Sequence, residues 1–334
     1  METVAEIKTR VTIADIAQRA GVSIPTVSKV INSKPGVSDG TRERVHALLR
    51  EFDYEPRRTT PSMMLELVLG EMNSPWSSAL VPAVEEAAYE EGYGVALSRI
   101  RPAPDGRWLD MLSARNGDGV IFAAVSVDAA LSSRLASIGV PYVVIDPMES
   151  PRATTPTIGV THWRGAYVAT DHLIRLGHRE LAMIAGPADV IFSRARVDGF
   201  RAAASEGGVA VPDARVAFTD FGYEAGRDAA LGLLSQESRP TAIFAASDEQ
   251  AFGAYEAARQ LDLPIPERLS VVGFNDVPIA QWAAPPLTTV REPIAQMARL
   301  AVSAVVGGPA SRSNPIAVEL ATELVVRGST APPR

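Results

Sequence analysis

Apolar side chains recur at helical spacing through the first fifty residues, with one short turn between two stripes. The first stripe consists of Ile13, Ile16, Ala17 and Ala20. The second stripe consists of Val27, Val30 and Ile31. A third periodic segment follows over residues 37–52, V-S-D-G-T-R-E-R-V-H-A-L-L-R-E-F. A repeat of three to four residues is typical of amphipathic helices, so this region is predicted to be three short helices.

The residues at the helix ends support this prediction. Thr12 can cap the first helix, and Asp15 three residues later suits the positive end of the helix dipole. Gly21 can end that helix because it accepts left-handed backbone angles. Ser23 can cap the second helix, and Pro25 lies in its first turn, where a missing N–H costs little. Two helices joined by so tight a turn indicate a helix-turn-helix, the unit that places a helix in the DNA major groove.

From residue 65 onward, short apolar runs alternate with longer amphipathic patterns. Strands are predicted over residues 65–69, 93–97, 119–123, 142–145, 181–185, 242–245 and 269–274. Helices between them include residues 81–91, 166–176, 194–206, 225–234 and 248–260. Such alternation predicts an α/β protein with parallel sheets covered on both faces. The number of units exceeds one sheet, which favours two doubly wound lobes with a ligand cleft at the carboxyl ends of their strands.

Composition narrows the functional classes. The chain has 334 residues and a net charge of −7, yet residues 1–58 hold ten Lys/Arg against eight Asp/Glu. A mildly basic head on an acidic chain argues against nonspecific coating of nucleic acid. There are no cysteines, so disulfides and thiolate metal sites are excluded. With a polar start and no apolar run near the ~20 residues of a membrane span, the expectation is a soluble cytoplasmic protein without membrane contact.

The head resembles a known family. The run A-D-I-A-Q-R-A-G-V-S-I-P-T-V-S-K-V-I-N, followed by T-R-E-R-V and Y-E-P, is similar to the LacI/GalR repressors. The resemblance places the base-reading positions on Ile24, Pro25 and Lys29, and phosphate-contacting or helix-supporting positions on Thr26 and Ser28. Lysine can donate to guanine but lacks the two-pronged contact of arginine. The candidate DNA-contacting set is Thr12, Ser23, Ile24, Pro25, Thr26, Ser28, Lys29, Asn32, Arg57 and Arg58.

Blocks further along the chain extend the resemblance to the branch of xylose and cello-oligosaccharide repressors. They include R-A-R-V-D-G-F-R-A-A, R-P-T-A-I-F-A-A-S-D and P-P-L-T-T-V-R-E-P. The resemblance implies a headpiece at 1–56, a hinge at 57–64 and a two-lobed, periplasmic-binding-protein-like effector and dimerisation domain at 65–334. It assigns about 65–160 and the segment after Arg291 to the first lobe. About 161–290 and the final strand then form the second lobe.

Residues near strand ends supply a candidate effector site. A sugar needs flat apolar faces for its C–H surfaces and forked polar groups for its hydroxyls. The flat candidates are Trp76, Trp163, Phe221 and Trp282, and the polar candidates are Asp146, Arg196, Ser247, Asp248 and Asn275. Among these, Asp146, Arg196, Phe221 and Asn275 fall on ligand-contacting positions of the resembled family. The alternative is structural: the aromatic rings would be core, and Asp248 would cap a helix.

The hinge departs from the family pattern. The family has a short helix after Y-x-P with a leucine that wedges into the minor groove. Here Pro61 would break such a helix, and Met63 stands at the wedge position if no gap is assumed. Arg57 and Arg58 can still meet phosphates. A folded hinge helix that intercalates in the minor groove is therefore not expected here, and operator bending is expected to be weaker than in the family.

Enzymatic signatures are missing from the sequence. It has no G-x-S-x-G, H-E-x-x-H or P-loop pattern, and its four histidines make no convincing metal or triad set. His178 lies in a helix-to-strand turn and is predicted to be structural. No cofactor or metal is expected.

The preferred hypothesis is a homodimeric repressor of carbohydrate-utilisation genes that reads a palindromic operator and responds to a mono- or oligosaccharide. One alternative is a regulator that responds to a nucleoside or a phosphorylated metabolite. The other is a sugar-binding or enzymatic α/β protein whose head binds no DNA.

Overall fold

The computed structural model describes residues 12–31, 36–52, 62–99, 108–109, 112, 117–307 and 317–334. Three candidate DNA-contacting residues, Asn32, Arg57 and Arg58, lie outside the described residues, as does Pro61.

Three helices form the described part of the head. Helix α1 spans Ile13–Ala20, α2 spans Ile24–Ile31 and α3 spans Asp39–Glu51. Their apolar faces meet in a small core of buried residues, which are Ile16, Ala17, Ala20, Val27, Val30 and Val45. The predicted stripes are therefore the faces that the helices bury, and they fix which side of α2 remains exposed.

The first of two large sheets has six strands, all of which pair in parallel. In chain order they are β1 (Met64–Leu69), β2 (Gly94–Arg99), β3 (Gly119–Ala123), β4 (Tyr142–Ile145), β5 (Thr157–Val160) and β11 (Ala317–Leu320). Their spatial order is β11-β5-β4-β3-β1-β2. Leu65, Leu67 and Leu69 face one core cluster, and Val68 faces another, so this sheet is covered on both sides.

Helices close both faces of this sheet. Helix α4 spans Pro75–Glu90, α5 spans Ala129–Ser137 and α10 spans Ile294–Val306. Helices α4 and α10 pack together on the face that holds Leu80, Val84 and Met297. Ser74 caps α4, and its Oγ accepts the Ser77 N–H at 3.1 Å. The helix begins shortly after β1 ends at Leu69, so its start lies on the carboxyl side of that strand.

The second sheet repeats the design. Its strands are β6 (Leu181–Ala185), β7 (Val216–Phe218), β8 (Ala242–Ala245), β9 (Ser270–Asn275), β10 (Thr288–Arg291) and β12 (Glu323–Val325). Their spatial order is β12-β10-β9-β8-β6-β7, and only the β10–β12 pair is antiparallel. The flanking helices are α6 (His162–Arg175), α7 (Ile191–Glu206), α8 (Tyr223–Leu234) and α9 (Asp248–Gln260).

In the part of the chain that the structure describes, three passages lead from one sheet to the other. The passages follow Val160, Arg291 and Leu320, which end β5, β10 and β11. A direct hydrogen bond also joins the two halves, because the Ile191 N–H at the start of α7 donates to the Met148 carbonyl at 2.9 Å. The α/β prediction with two doubly wound lobes is confirmed.

Several predicted element bounds needed correction. Helix α4 begins at Pro75, six residues before the predicted start, and continues through Pro82. Strand β2 spans Gly94–Arg99 instead of 93–97. Ser62 and Met63 both bond to the Asp118 carboxylate, at 3.1 and 2.8 Å, so these residues of the predicted hinge are attached to the first sheet. Met63 at the predicted wedge position is thus held at φ 54° against the sheet.

Candidate functional site

The helix ends of the head match the predicted caps. Thr12 and Asp15 form a capping box, in which the Thr12 N–H donates to the Asp15 carboxylate at 2.7 Å and Thr12 Oγ1 accepts the Asp15 N–H at 3.3 Å. Hydrogen bonds from Thr12 lower the pKa of Asp15. Gly21 has φ 65° and ends α1 in the left-handed conformation. Each of these contacts satisfies backbone groups that a short helix would otherwise leave unpaired.

Helix α2 presents an exposed N-terminal face. Ser23 Oγ accepts the Thr26 N–H at 3.3 Å, and the two hydroxyls are 2.9 Å apart, so Ser23 caps α2 and Thr26 supports the cap. Val27 and Val30 point into the head core, while Ile24, Pro25 and Lys29 are exposed. Ile24 is 47% exposed, which is unusual for an isoleucine in so small a core. The arrangement leaves the side chains predicted to read bases free to meet another surface.

The second site is a buried polar cluster centred on Arg196 of α7, where the two halves of the fold meet. Arg196 is only 3% exposed. Its guanidinium donates from Nη1 to the Ala246 carbonyl, and from Nη2 to Glu292 Oε1 at 3.1 Å and to His162 Nδ1 at 3.2 Å. Its Nε–H is buried and has no partner within the described residues. One donor of this buried cation is therefore left without an acceptor among the described residues.

Two carboxylates compensate the charge of Arg196. Glu292 lies just after β10, and its second oxygen accepts the Trp76 Nε1–H from α4 at 2.7 Å. Asp146 follows β4, and its Oδ1 lies 3.0 Å from His162 Nε2. Because Arg196 can only donate, His162 Nδ1 must accept and Nε2 must carry the proton given to Asp146. A continuous series of hydrogen bonds therefore links the two sheets, and it runs through Trp76, Glu292, Arg196, His162 and Asp146.

Aromatic rings surround the guanidinium. Its Cζ lies 3.7 Å from the centroid of Phe274, 5.4 Å from Phe192 and 6.0 Å from Phe221. Phe192 and Phe221 stack with centroids 5.7 Å apart. A Cβ at Gly186 would come within 2.1 Å of the Phe221 ring, so only glycine lets this ring lie over the backbone. Flat apolar faces beside paired polar groups are the combination that binds a sugar ring.

Ser247 and Asp248, at the start of α9, have internal partners. Ser247 Oγ donates to the Phe221 carbonyl at 2.6 Å and accepts the Gln250 N–H at 3.1 Å, which fixes Phe221 relative to the helix. The Asp248 carboxylate accepts the Val277 N–H at 2.8 Å and the Thr289 hydroxyl. Burial raises the pKa of Asp248 to about 7. The predicted capping role of Asp248 is therefore wrong, because Ser247 caps α9 while the Asp248 carboxylate joins that helix to Val277 and to Thr289 of β10.

Asn275 ends β9 beside the cluster, and its carbonyl accepts the Glu292 N–H at 3.4 Å. It has φ 116°, and Asp146 has φ 44°, so both of these candidate residues hold backbone angles that non-glycine residues rarely adopt. The next residue, Asp276, instead pairs with Arg291 at 2.7 Å and Arg327 at 2.6 Å, which braces the second sheet.

The structure does not bring all the predicted aromatics to the cluster. Trp163 stacks on Tyr167 with centroids 5.2 Å apart and is 43% exposed. Trp282 follows a short 3-10 helix, Pro278–Gln281, and is 78% exposed. Their assignment to the effector site stays a prediction.

Glu292 and His162 of the cluster, and the rings of Phe192 and Phe274 beside it, were not predicted from the sequence. Glu292 stands inside the quoted block P-P-L-T-T-V-R-E-P, directly after a strand end, which was the signal available for it. His162 has no metal or triad pattern around it in the sequence, so no local signal marks it. Burial raises the pKa of Glu292, with nearby Asp146 adding to the effect, while Arg196 and Trp76 oppose it.

His178 is confirmed as structural. Its Nδ1 lies 2.9 Å from Thr241 Oγ1, and its Nε2 lies 2.9 Å from the Ala331 carbonyl oxygen, which holds the last described residues against β9. Burial lowers the pKa of His178.

No described helix combines the length and apolar character that crossing a membrane requires.

A helix-turn-helix joined to a two-lobed ligand-binding domain is the architecture of a transcriptional regulator whose DNA affinity changes when a small molecule binds. Residues 12–57 match the family described as bacterial regulatory proteins, lacI family, and residues 170–330 match the periplasmic binding protein-like domain. The HTH-type transcriptional regulator DegA of Bacillus subtilis is 34% identical over 97% of this chain and 99% of its own length. This chain therefore belongs to the LacI family of DNA-binding transcriptional regulators.

Two solved structures are similar over nearly the whole chain. The transcriptional regulator CelR in complex with cellobiose has a TM-score of 0.72 and 33% identity, covering 96% of this chain and 100% of the other. The lac repressor dimer bound to operator and the anti-inducer ONPF has a TM-score of 0.69 and 27% identity, covering 97% and 100%.

Proposed function

We propose that this chain is a homodimeric repressor whose effector is a sugar bound at the Arg196 cluster between the two sheets. The observation that carries the proposal is the cluster itself. It joins a buried guanidinium with a free Nε–H, two carboxylates and the stacked rings of Phe192 and Phe221. The likeness to the cellobiose complex of CelR supports a carbohydrate in this cleft.

The same geometry suggests how a ligand would act on DNA binding. The cluster draws hydrogen-bonding groups from both sheets, through Trp76 and Asp146 on one side and Arg196 on the other. A ligand that touches both sides favours the closed arrangement only through contacts that the open arrangement lacks. The three passages after Val160, Arg291 and Leu320 are where the two halves would rotate. That rotation would change the spacing of two heads on a palindrome.

The DNA-contacting residues are proposed to lie on α2 and at the start of α1. Ile24, Pro25 and Lys29 of α2 would meet the base edges, and Thr26 and Ser28 of α2, with Thr12 at the start of α1, would lie beside the phosphates. The capped, N-terminal end of α2 is the end that enters the groove in helix-turn-helix proteins. Asn32, Arg57 and Arg58 remain predictions from sequence. The domain boundaries at 56 and 64 are likewise proposed.

An operator-binding titration tests the proposed effector site. The probe is DNA from beside the protein's own gene, and the effector arm uses cellobiose and other neutral sugars. Arg196→Ala removes the guanidinium at the centre of the cluster, so we expect at least a tenfold loss of effector response, with operator binding in the absence of sugar changed less than twofold.

Arg194→Ala is the matched control. Arg194 lies on the same helix but is exposed, and its Nη1 donates to the Ala188 and Asp189 carbonyls at 3.3 and 3.0 Å. We expect it to respond to sugar as the wild type does. An Arg196→Ala protein that responds at the wild-type sugar concentration would remove the cluster from the effector site.

A further inference from the structure

The charges around Arg196 define which kind of ligand its cleft can accept. One guanidinium faces Glu292 directly at 3.1 Å and reaches Asp146 through His162. Asp248 is a third carboxyl close enough to influence Arg196 electrostatically. Even with one of these carboxyls protonated, the buried groups carry no net positive charge.

An anionic ligand would meet this cluster at a disadvantage. A phosphate or carboxylate needs unpaired cationic donors, and a buried charge left without compensation is strongly unfavourable. Nη1 of Arg196 already donates to the Ala246 carbonyl, and Nη2 donates to Glu292 and His162. The ring of Phe274 covers one face of the guanidinium, with 3.7 Å between Cζ and the ring centroid. A ligand oxygen near the guanidinium would also approach the Glu292 carboxylate, with like charges facing each other.

An uncharged hydroxyl suits the remaining groups. The free Nε–H of Arg196 can donate to a hydroxyl oxygen, and Asp146 has carboxylate lone pairs left to accept a hydroxyl proton. Ser193 lies one turn before Arg196 on α7, and its buried Oγ has no partner within the described residues. Each hydroxyl both donates and accepts, so such a ligand adds no net charge.

We propose that Glu292 is the residue that restricts the effector to uncharged polyols. Its carboxylate compensates the positive charge of Arg196, which leaves no net positive charge to attract phosphorylated or carboxylated sugars. This inference rests on the proposed function, because it concerns the same cleft. It selects between the neutral-sugar and phosphorylated-metabolite alternatives that the sequence left open. Glu292 also accepts from Trp76, so it is fixed from both sides and cannot swing away to admit an anion.

The test measures thermal stabilisation of the full chain by matched pairs of ligands. The neutral members are cellobiose and ribose, and the anionic members are cellobionate and ribose 5-phosphate. Inorganic phosphate is a further probe, and potassium chloride at equal ionic strength is the control. For the wild type, we expect half-saturation by an anionic member to need at least tenfold more ligand than by its neutral partner, and phosphate to shift the Tm no more than chloride does.

Glu292→Gln keeps the side-chain shape but removes one negative charge. We expect this variant to narrow the neutral-to-anionic ratio at least threefold and to gain a phosphate-dependent rise in Tm that chloride does not give. Asp146→Asn removes the other carboxylate and replaces Glu292→Gln if that variant does not fold. An unchanged ratio in a folded Glu292→Gln variant would overturn the proposal, as would an unchanged ratio in Asp146→Asn where that variant replaces it.

The two proposals fail in different ways. Wild-type protein stabilised by phosphate or ribose 5-phosphate, with the effect lost in Arg196→Ala, would overturn neutral-ligand selection while keeping the effector site. A neutral sugar that stabilises the protein through Arg196 but leaves operator binding unchanged would count against the proposed regulation and support the selectivity.

Discussion

Single buried side chains decide much of the chemistry in this protein. Asp248 shows the principle, because its carboxylate is fully enclosed yet receives two hydrogen bonds. Burial disfavours the charged form more than those bonds favour it, and the pKa rises to about 7. A group with a raised acid pKa takes up protons on folding, so it links stability to pH.

Asp248 should make the protein less stable as the pH rises from about 4 to about 7. The folded state holds its proton across that window, whereas the unfolded carboxyl loses it near pH 4. Asp248→Asn should fit, since its amide can donate to Thr289 Oγ1 while its oxygen accepts the Val277 N–H. As the pH rises from 4.5 to 7.5, we expect the unfolding free energy of Asp248→Asn to increase relative to that of the wild type by on the order of 2–4 kcal/mol.

Denaturant unfolding at a series of pH values checks this expectation. Taking the difference between the two proteins removes the effect of His172 and His178, which both proteins share. Burial lowers the pKa of these histidines, so their contribution to stability is lost as the pH falls below about 6.5, opposite in direction to that of Asp248. Parallel stability curves for the two proteins would show that Asp248 ionises normally in the fold.

Lys29 is one of the three residues of α2 proposed to read base edges of the operator. Lys29→Ala should weaken binding to the operator by about 1–3 kcal/mol and binding to random DNA by much less. Lys29→Arg provides the comparison, since arginine can make a two-pronged contact with guanine. Mobility shifts on both DNAs at one fixed salt concentration measure the difference. Equal losses on both would reduce Lys29 to a phosphate contact.

At this scale the sequence predicted residue types better than partners. Asp146 and Phe221 follow the carboxyl ends of strands in the first and the second sheet, and Arg196 lies on helix α7 between them. They come together because the start of α7 is bonded to Met148 of the first half, and the sequence predicted only that each lies on the carboxyl side of a strand. Glu292 and His162 lie far apart in sequence and meet only where the chain crosses between sheets. No local pattern reports such a contact, so it needed the fold.

Among the elements, the helix pairs α6–α7 and α8–α9 pack with unusually close backbones. Gly199 of α7 lies where a Cβ would be 2.1 Å from the Trp163 carbonyl oxygen. Gly253 of α9 lies where a Cβ would be 2.3 Å from the Tyr223 carbonyl oxygen and 2.4 Å from the Arg227 nitrogen. These contacts set the position of α7, which carries Arg196, and of α9, whose first residues hold Phe221.

Gly253→Ala should therefore push α8 and α9 apart and cost about 1–3 kcal/mol or more of unfolding free energy. Gly232→Ala is the matched control, because Gly232 lies in α8 with nothing within 4 Å of an added Cβ. There alanine should stabilise the helix by about 0.5–1 kcal/mol. Denaturation midpoints decide the comparison, and similar shifts for the two variants would contradict the close-packing account.

The elements themselves were largely predictable, with errors that have physical causes. Apolar runs marked the buried central strands, because strands covered on both faces lack polar alternation. Short edge strands such as Val216–Phe218 and Glu323–Val325 carry too few residues for a pattern. Pro82 lies inside α4, where packing of Leu80 and Val84 outweighs the lost backbone bond that usually marks a helix boundary.

On the scale of the whole molecule, the three passages between sheets distribute sequence neighbours over both halves. Helix α10 and strand β11 return to the first sheet after the second is nearly complete, and β12 then closes the second. Neither half is a continuous segment, so the two are expected to unfold together. The head is different, since among the described residues its own core joins positions within 13–52.

This organisation predicts how the protein responds to limited proteolysis. Arg57 ends the segment that matches the lacI family, 12–57, and Arg58 follows it, ahead of Ser62, the first described residue that is bonded to the first sheet. We expect brief trypsin treatment to cut there and leave a fragment that begins near residue 58 and holds both sheets. If dimerisation resides in the effector domain, as proposed, light scattering should find this fragment dimeric at micromolar concentration, like the intact chain.

The fragment should also keep the sugar-dependent rise in Tm, because every group of the Arg196 cluster lies after residue 64. It should lose operator binding, because α2 is removed. Arg57→Gln with Arg58→Gln serves as the proteolysis control and should slow the cut. A monomeric fragment from a dimeric chain would place the dimer contact in the head, and the ligand-driven change in head spacing would then need another route.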